Sequence, residues 1–110
     1  MKRTSFIFMF LLFGLVLKAE NVPAIKEGNM ISGHVIEDGT EDNIAFATVL
    51  IVETGEGTMS NESGQFEFRN MRPGKYTLRV SMVGYETSTK EVVVNKDYVS
   101  VVHFKLKVEG

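Results

Sequence analysis

Gln65-Phe66-Glu67-Phe68-Arg69-Asn70-Met71-Arg72-Pro73-Gly74-Lys75-Tyr76-Thr77-Leu78-Arg79-Val80-Ser81 decides the fold by its phase. Phe66 and Phe68 fall on one side, with Gln65, Glu67 and Arg69 on the other. After the interruption, Tyr76, Leu78 and Val80 face one way and Thr77, Arg79 and Ser81 the other. A period of two marks a strand with one buried face. Phe66 and Tyr76 are therefore expected in the core. Between the two runs, Arg72-Pro73-Gly74-Lys75 fits a type II turn, because proline holds φ near about −65° at the second position and glycine accepts positive φ at the third.

The same alternation extends in both directions. Towards the C-terminus, Gly84 marks a bend or bulge, Thr87–Val94 reads as a strand, and Asn95-Lys96-Asp97 as a turn. Val102, Phe104, Leu106 and Val108 then alternate with Val101, His103, Lys105 and Lys107. Towards the N-terminus, Ser60-Asn61-Glu62-Ser63-Gly64 suits a hairpin: the Asn61 side chain accepts from the backbone two residues on, and Gly64 takes positive φ. Thr58–Ser60 is a brief extended piece closed off by Gly55 and Gly57. Ala45–Val52 is a β-branched run with Ala47, Val49 and Ile51 on its inner face. Asp38–Asn43 forms a loop, and Ile31, Gly33 and Val35 share the inner face of a first strand. Turn signals every ~8 to 12 residues, with no sustained 3.6 period, predict an all-β fold: an antiparallel β-sandwich of about seven strands with Ig-like Greek-key connections.

The first residues have a different composition. Lys2 and Arg3 precede an apolar run from Phe6 to Leu17, followed by Lys18 and Ala19. This reads as a signal peptide over residues 1–19, removed after Ala19. A membrane anchor would need about 20 apolar residues, and this run is too short. Residues 20–29 read as a flexible lead-in, and 30–108 as the domain. With no cysteine anywhere, lipid attachment, disulfides, a thiolate nucleophile and Cys-ligated metals are excluded. Stability is left to the core. The processed chain would carry nine Lys and Arg against fourteen Asp and Glu, a net charge of −5, which disfavours nucleic acid as a partner.

No set of residues suggests chemistry. His34 and His103 are the only imidazoles; on facing strands they could share a metal, but no carboxylate stands beside them at ligand spacing. Asp38, Glu41 and Asp42 lack the ordered spacing of a calcium loop. Ser60, Ser63 and Ser81 lack a nucleophile-elbow pattern. The expectation is a non-catalytic module that needs no cofactor or metal. Asn61-Glu62-Ser63 is formally a glycosylation acceptor, of little meaning in bacterial export.

Ile31-Ser32-Gly33-His34-Val35, Ala47-Thr48-Val49, Ser60-Asn61-Glu62-Ser63-Gly64-Gln65-Phe66, Pro73-Gly74-Lys75-Tyr76-Thr77-Leu78 and Ser81-Met82-Val83-Gly84-Tyr85-Glu86 occur in that order. Together they resemble the carboxypeptidase regulatory-like domain, a transthyretin-like sandwich found at the N-terminus of TonB-dependent outer-membrane receptors and as an accessory domain of zinc carboxypeptidases. Where members often carry Pro and Asp, this sequence has Ala45 and Asn61. The resemblance implies a periplasmic or outer-membrane-associated module of a Gram-negative bacterium, partnered by a receptor or another envelope protein. The chain holds neither plug nor barrel, so a receptor fragment or a stand-alone paralogue is expected, not a transporter.

Two surfaces are candidates for binding. A Val99–Val108 strand at a sheet edge could accept a partner strand, through Val99, Val101, His103, Lys105 and Lys107. Alternatively a secreted module could bind carbohydrate or protein, with Tyr85 and Tyr98 as aromatic platforms; Tyr85, inside the Gly84-Tyr85-Glu86 motif, is expected to pack on the sheet instead.

Overall fold

The computed structural model describes residues 28–110; the expected signal peptide and nearly all of the expected lead-in lie outside them. Seven strands follow one another without a helix among these residues: β1 Ile31–Glu37, β2 Thr48–Ile51, β3 Gly57–Met59, β4 Gln65–Phe68, β5 Gly74–Ser81, β6 Ser88–Val94 and β7 Ser100–Leu106. They form two sheets, ordered β4-β1-β7 and β3-β2-β5-β6. The expected sandwich is present.

Each strand buries the face its alternation assigned. Ile31, Val35, Ala47, Val49, Ile51, Leu78, Val80, Phe104 and Leu106 are all 0% exposed. Phe66 and Phe68 meet edge to face at 6.1 Å between ring centroids, and Phe104 sits 6.3 Å from Phe66. The core is aliphatic around these three rings. Tyr76 is half-buried at its margin. Its hydroxyl donates to Arg72 O at 2.7 Å, the device that closes corners in Ig-type sandwiches.

Two local expectations change. Arg72-Pro73-Gly74-Lys75 makes no type II turn: Gly74 already opens β5 at φ 156°, far from the roughly 80° such a turn needs, and the left-handed conformation falls on Asn70 (φ 56°). A tight turn would fold β5 back beside β4, but the two strands belong to different sheets. The chain must cross between layers here, and buried Met71 anchors the crossing by donating its N–H to Asn29 O at 2.9 Å. Likewise β7 ends at Leu106, and Val108 is 57% exposed, because residues 107–109 leave the sheet to pair with residues 84–86.

Four of the five strand pairings are antiparallel; β1 and β7 run parallel, from Ile31↔Ser100 to Glu37↔Leu106. The 95–99 connection carries the chain from β6 in one sheet to β7 in the other, so β7 starts from the end where β1 also starts. The turn expected at Asn61 forms, but it carries the chain from β3 in one sheet to β4 in the other and so joins no hairpin. Asn61 Oδ1 accepts from Ser63 N and Gln65 N, both at 2.9 Å, and Gly64 adopts φ 77°.

Candidate functional site

The strand expected to meet a partner does lie at an edge: β7 pairs with β1 alone. Ser100 N donates to Met30 O at 3.0 Å and Leu106 O accepts from Asp38 N at 2.8 Å. Alternation therefore turns the peptide groups of Val101, His103 and Lys105 outward. A side chain from the facing edge guards that row at one point: His103 O takes the Lys90 ammonium. In return Ser100 Oγ, from β7 itself, donates to Val93 O of β6 at 2.5 Å. Lys107 O already accepts Glu86 N at 2.8 Å. Val99 precedes the strand and is half-buried. These contacts shield the row at His103 and just past the strand end at Lys107, a protection that sandwiches use against uninvited strands.

The two imidazoles are cross-strand partners, His34↔His103, with ring centroids 6.1 Å apart and perpendicular planes. His34 Nε2 lies 2.7 Å from Asn43 Oδ1. Among the described residues no three His, Asp or Glu side chains gather at metal-binding distance. Glu41, from the acidic loop, is drawn to Lys105 at 3.4 Å instead. The two tyrosines are not brought together: Tyr98 precedes β7 and Tyr85 bridges Val108 beyond it, so a strand of roughly 23 Å separates them. Tyr98 is 63% exposed, whereas Tyr85 packs against the core and its hydroxyl donates to Glu37 Oε1 at 2.6 Å. That bond, foremost, raises the Tyr85 pKa above 10.0, since the carboxylate holds the phenol proton.

The concave surface that does form was not singled out from the sequence. A cleft of about 490 Å³ is lined by Phe46, Thr48, Ser81, Met82, Val83, Gly84, Tyr85 and Glu109. Val83 is 93% exposed and Phe46 55%. Phe46 adopts φ 62°, a left-handed conformation that bulky residues take only under constraint. The constraint is Ser60, itself 1% exposed. Its hydroxyl donates to Ile44 O at 2.8 Å and accepts from Ala47 N at 2.9 Å, while its carbonyl accepts Phe46 N at 2.8 Å. A serine considered above as a nucleophile is thus a buried clamp that turns Ala45-Phe46 outward.

At the opposite end, Glu53 receives both Thr77 N, at 2.8 Å, and Thr77 Oγ1, at 2.7 Å. The backbone donor first, then the hydroxyl, lowers its pKa below 4.5. A depressed carboxylate contributes stability above the unfolded value and loses it as pH falls through the folded one. Glu53→Gln is therefore expected to show a shallower loss of Tm between pH 5 and pH 3 than the parent chain, values chosen to bracket the ordinary carboxylate range of about 4. An unchanged slope would remove the Glu53–Thr77 contact from the folding balance.

Comparison with known proteins adds the family. The model of the CarboxypepD_reg-like domain matches residues 31–110. The chain belongs to the CarboxypepD_reg-like domain family. Bacillopeptidase F of Bacillus subtilis (strain 168) is 36% identical over 62 residues, which are 56% of this chain and 4% of that protein. A chain in the cohesin–X-dockerin complex of Acetivibrio cellulolyticus superposes with TM-score 0.57 at 27% identity, over 68% of this chain and 53% of that one. The minor pilin GBS52 of Streptococcus agalactiae superposes with TM-score 0.59 at 13% identity, covering 78% of this chain and 47% of the pilin, a likeness of fold alone. The chain thus spans about half the length of these structural neighbours and a small part of the peptidase.

Within this CarboxypepD_reg-like domain the cleft grows out of family segments. Ser81–Tyr85 forms one wall, and Phe46 in the turn before β2 with Thr48 at its start forms the other. One sequence signal did point there. Phe46 is out of phase with Ala47, Val49 and Ile51 in its own strand run, so alternation alone sends an aromatic ring to the solvent face.

Proposed function

We propose that this chain is an exported, non-catalytic docking module of the type that precedes TonB-dependent receptors, working beside an outer-membrane uptake protein. The Phe46 cleft carries this reading. A large apolar ring presented on a constrained backbone, next to Val83, builds a contact surface at the expense of local comfort, and exposed apolar surface of that kind serves recognition. The leader-like residues 1–19 support export. The family assignment and the likeness to a chain of a cohesin–X-dockerin assembly support a role among protein modules. Among the described residues no helix is long and apolar enough to cross a membrane.

The test is site-specific photo-crosslinking of the full chain in a Gram-negative envelope. A benzophenone side chain placed at Val83 is expected to capture an outer-membrane protein identifiable by mass spectrometry, and one at Val101 to capture little. Capture from Val101 alone would transfer the role to the β7 edge. A chain retained unprocessed in the cytosol would end the proposal.

A further inference from the structure

We infer that the Phe46 cleft takes a basic peptide segment carrying an apolar anchor; this rests on the docking role just proposed and names its partner's chemistry. Three observations converge. The cleft offers an apolar floor, with Phe46 at 55% and Val83 at 93% exposure beside Met82 and Tyr85. Aromatic anchors seated in such pockets dominate peptide and protein recognition. Phe46 holds φ 62° where glycine or asparagine would sit at lower cost, so its ring is displayed against the local backbone preference. Lastly, the charge on the molecule is polarised along the strands.

The polarity follows from the strand directions. β1 ends at the cleft with Glu37, hydrogen-bonded to Tyr85; the loop after it supplies Asp38 and Asp42, both exposed. Glu109 lines the cleft itself, and Glu86 is tied to Lys107 through its backbone. The cations nearest this end are Lys107, Lys105, which is paired with Glu41 at 3.4 Å, and Arg79, two residues before Ser81 on the same face of β5. At the other end Arg69, Arg72, Lys75 and Lys96 are matched by Glu53, Glu67, Glu91 and Asp97, with Arg69–Glu67 and Lys75–Glu91 in direct pairs, so the excess of carboxylates lies at the cleft end. An apolar cleft rimmed by carboxylates selects cationic segments and repels acidic ones, an effect that salt weakens.

The test uses the full processed chain and three fluorescein-labelled peptides: Lys-Arg-Ser-Leu-Phe-Ser-Lys-Arg-Gly, its counterpart with Glu at every basic position, and its counterpart with Ser in place of Leu-Phe. In fluorescence polarisation the first is expected to bind at least about tenfold more tightly than either of the others. Its affinity should fall about threefold or more between roughly 50 mM and 300 mM salt. Phe46→Gly is expected to reduce binding about tenfold while Tm stays equal or rises, because the backbone strain is relieved. A structural Phe46 would lower Tm together with binding, and that result overturns the inference. Phe46-dependent binding of the acidic peptide would refute the partner's chemistry and leave the docking role standing. Binding of every peptide unaffected by Phe46→Gly would sink both. A Phe46-dependent dimer in sedimentation would assign the cleft to a second copy and refute a basic segment.

Discussion

Phe66→Ala is expected to lower stability by about 3 to 5 kcal/mol, and Gly33→Ala by about 1 to 3 kcal/mol, with the second cost nearly vanishing when both changes are made together. Gly33 and Phe66 face each other across β1 and β4. A Cβ on Gly33 would stand 2.0 Å from Cζ and 2.3 Å from Cε2 of the Phe66 ring. The ring lies across the glycine backbone, and contacts with Phe68 and Phe104 hold it there. Alanine is otherwise the better residue in a strand interior, by roughly 0.5 to 1 kcal/mol. A destabilising Gly33→Ala therefore runs against propensity and isolates the steric term. In the Phe66→Ala background the ring is gone, and the alanine methyl enters space that the truncation opened. Urea unfolding of the four species gives a double-mutant cycle, with a coupling of about 1 kcal/mol or more expected against a total near ~5 to 10 kcal/mol for a domain of this size. Additive losses would place the Phe66 ring elsewhere in the core.

This pair also shows what the sequence makes legible. Burial faces follow from periodicity alone, so Ile31, Gly33 and Val35 inward and His34 outward needed no knowledge of partners. The Asn61–Gly64 turn was equally readable, since an Asx acceptor and a positive-φ glycine act within five residues, although the strands it joins lie in different sheets. Which strand lies beside which is a different kind of information. Gly33 meets Phe66 and His34 meets His103 through register between distant segments, and a period of two is blind to partner and direction. The failed turn at Pro73-Gly74 has the same origin: the dipeptide is compatible with a hairpin, but β4 and β5 belong to different layers. The Phe46 cleft was hidden for a further reason. Phase places the ring outward, but its left-handed backbone is imposed by a hydroxyl fourteen residues later in the chain, which no local pattern announces.

That hydroxyl carries the second large effect. Ser60→Ala is expected to cost about 2 to 4 kcal/mol, because it leaves Ile44 O and Ala47 N without their partner inside the protein, at about 1 to 3 kcal/mol for each buried group. The volume change is one oxygen, so a cavity contributes little, and the loss reports hydrogen bonding almost alone. The backbone bonds Ser60 N to Ala47 O, at 2.9 Å, and Phe46 N to Ser60 O, at 2.8 Å, persist in the variant and keep the turn in place on average. What the hydroxyl adds is a fixed spacing between Ile44 and Ala47, the two ends of the turn that displays Phe46. Combining Ser60→Ala with Phe46→Gly should therefore recover part of the lost stability, since a glycine at φ 62° needs no clamp. Thermal and urea unfolding of the three variants decide the matter. A loss below about 1 kcal/mol for Ser60→Ala would mean that water replaces the hydroxyl, and equal stability of the single and double variants would show that Ser60 holds the sheet edge and not the left-handed turn.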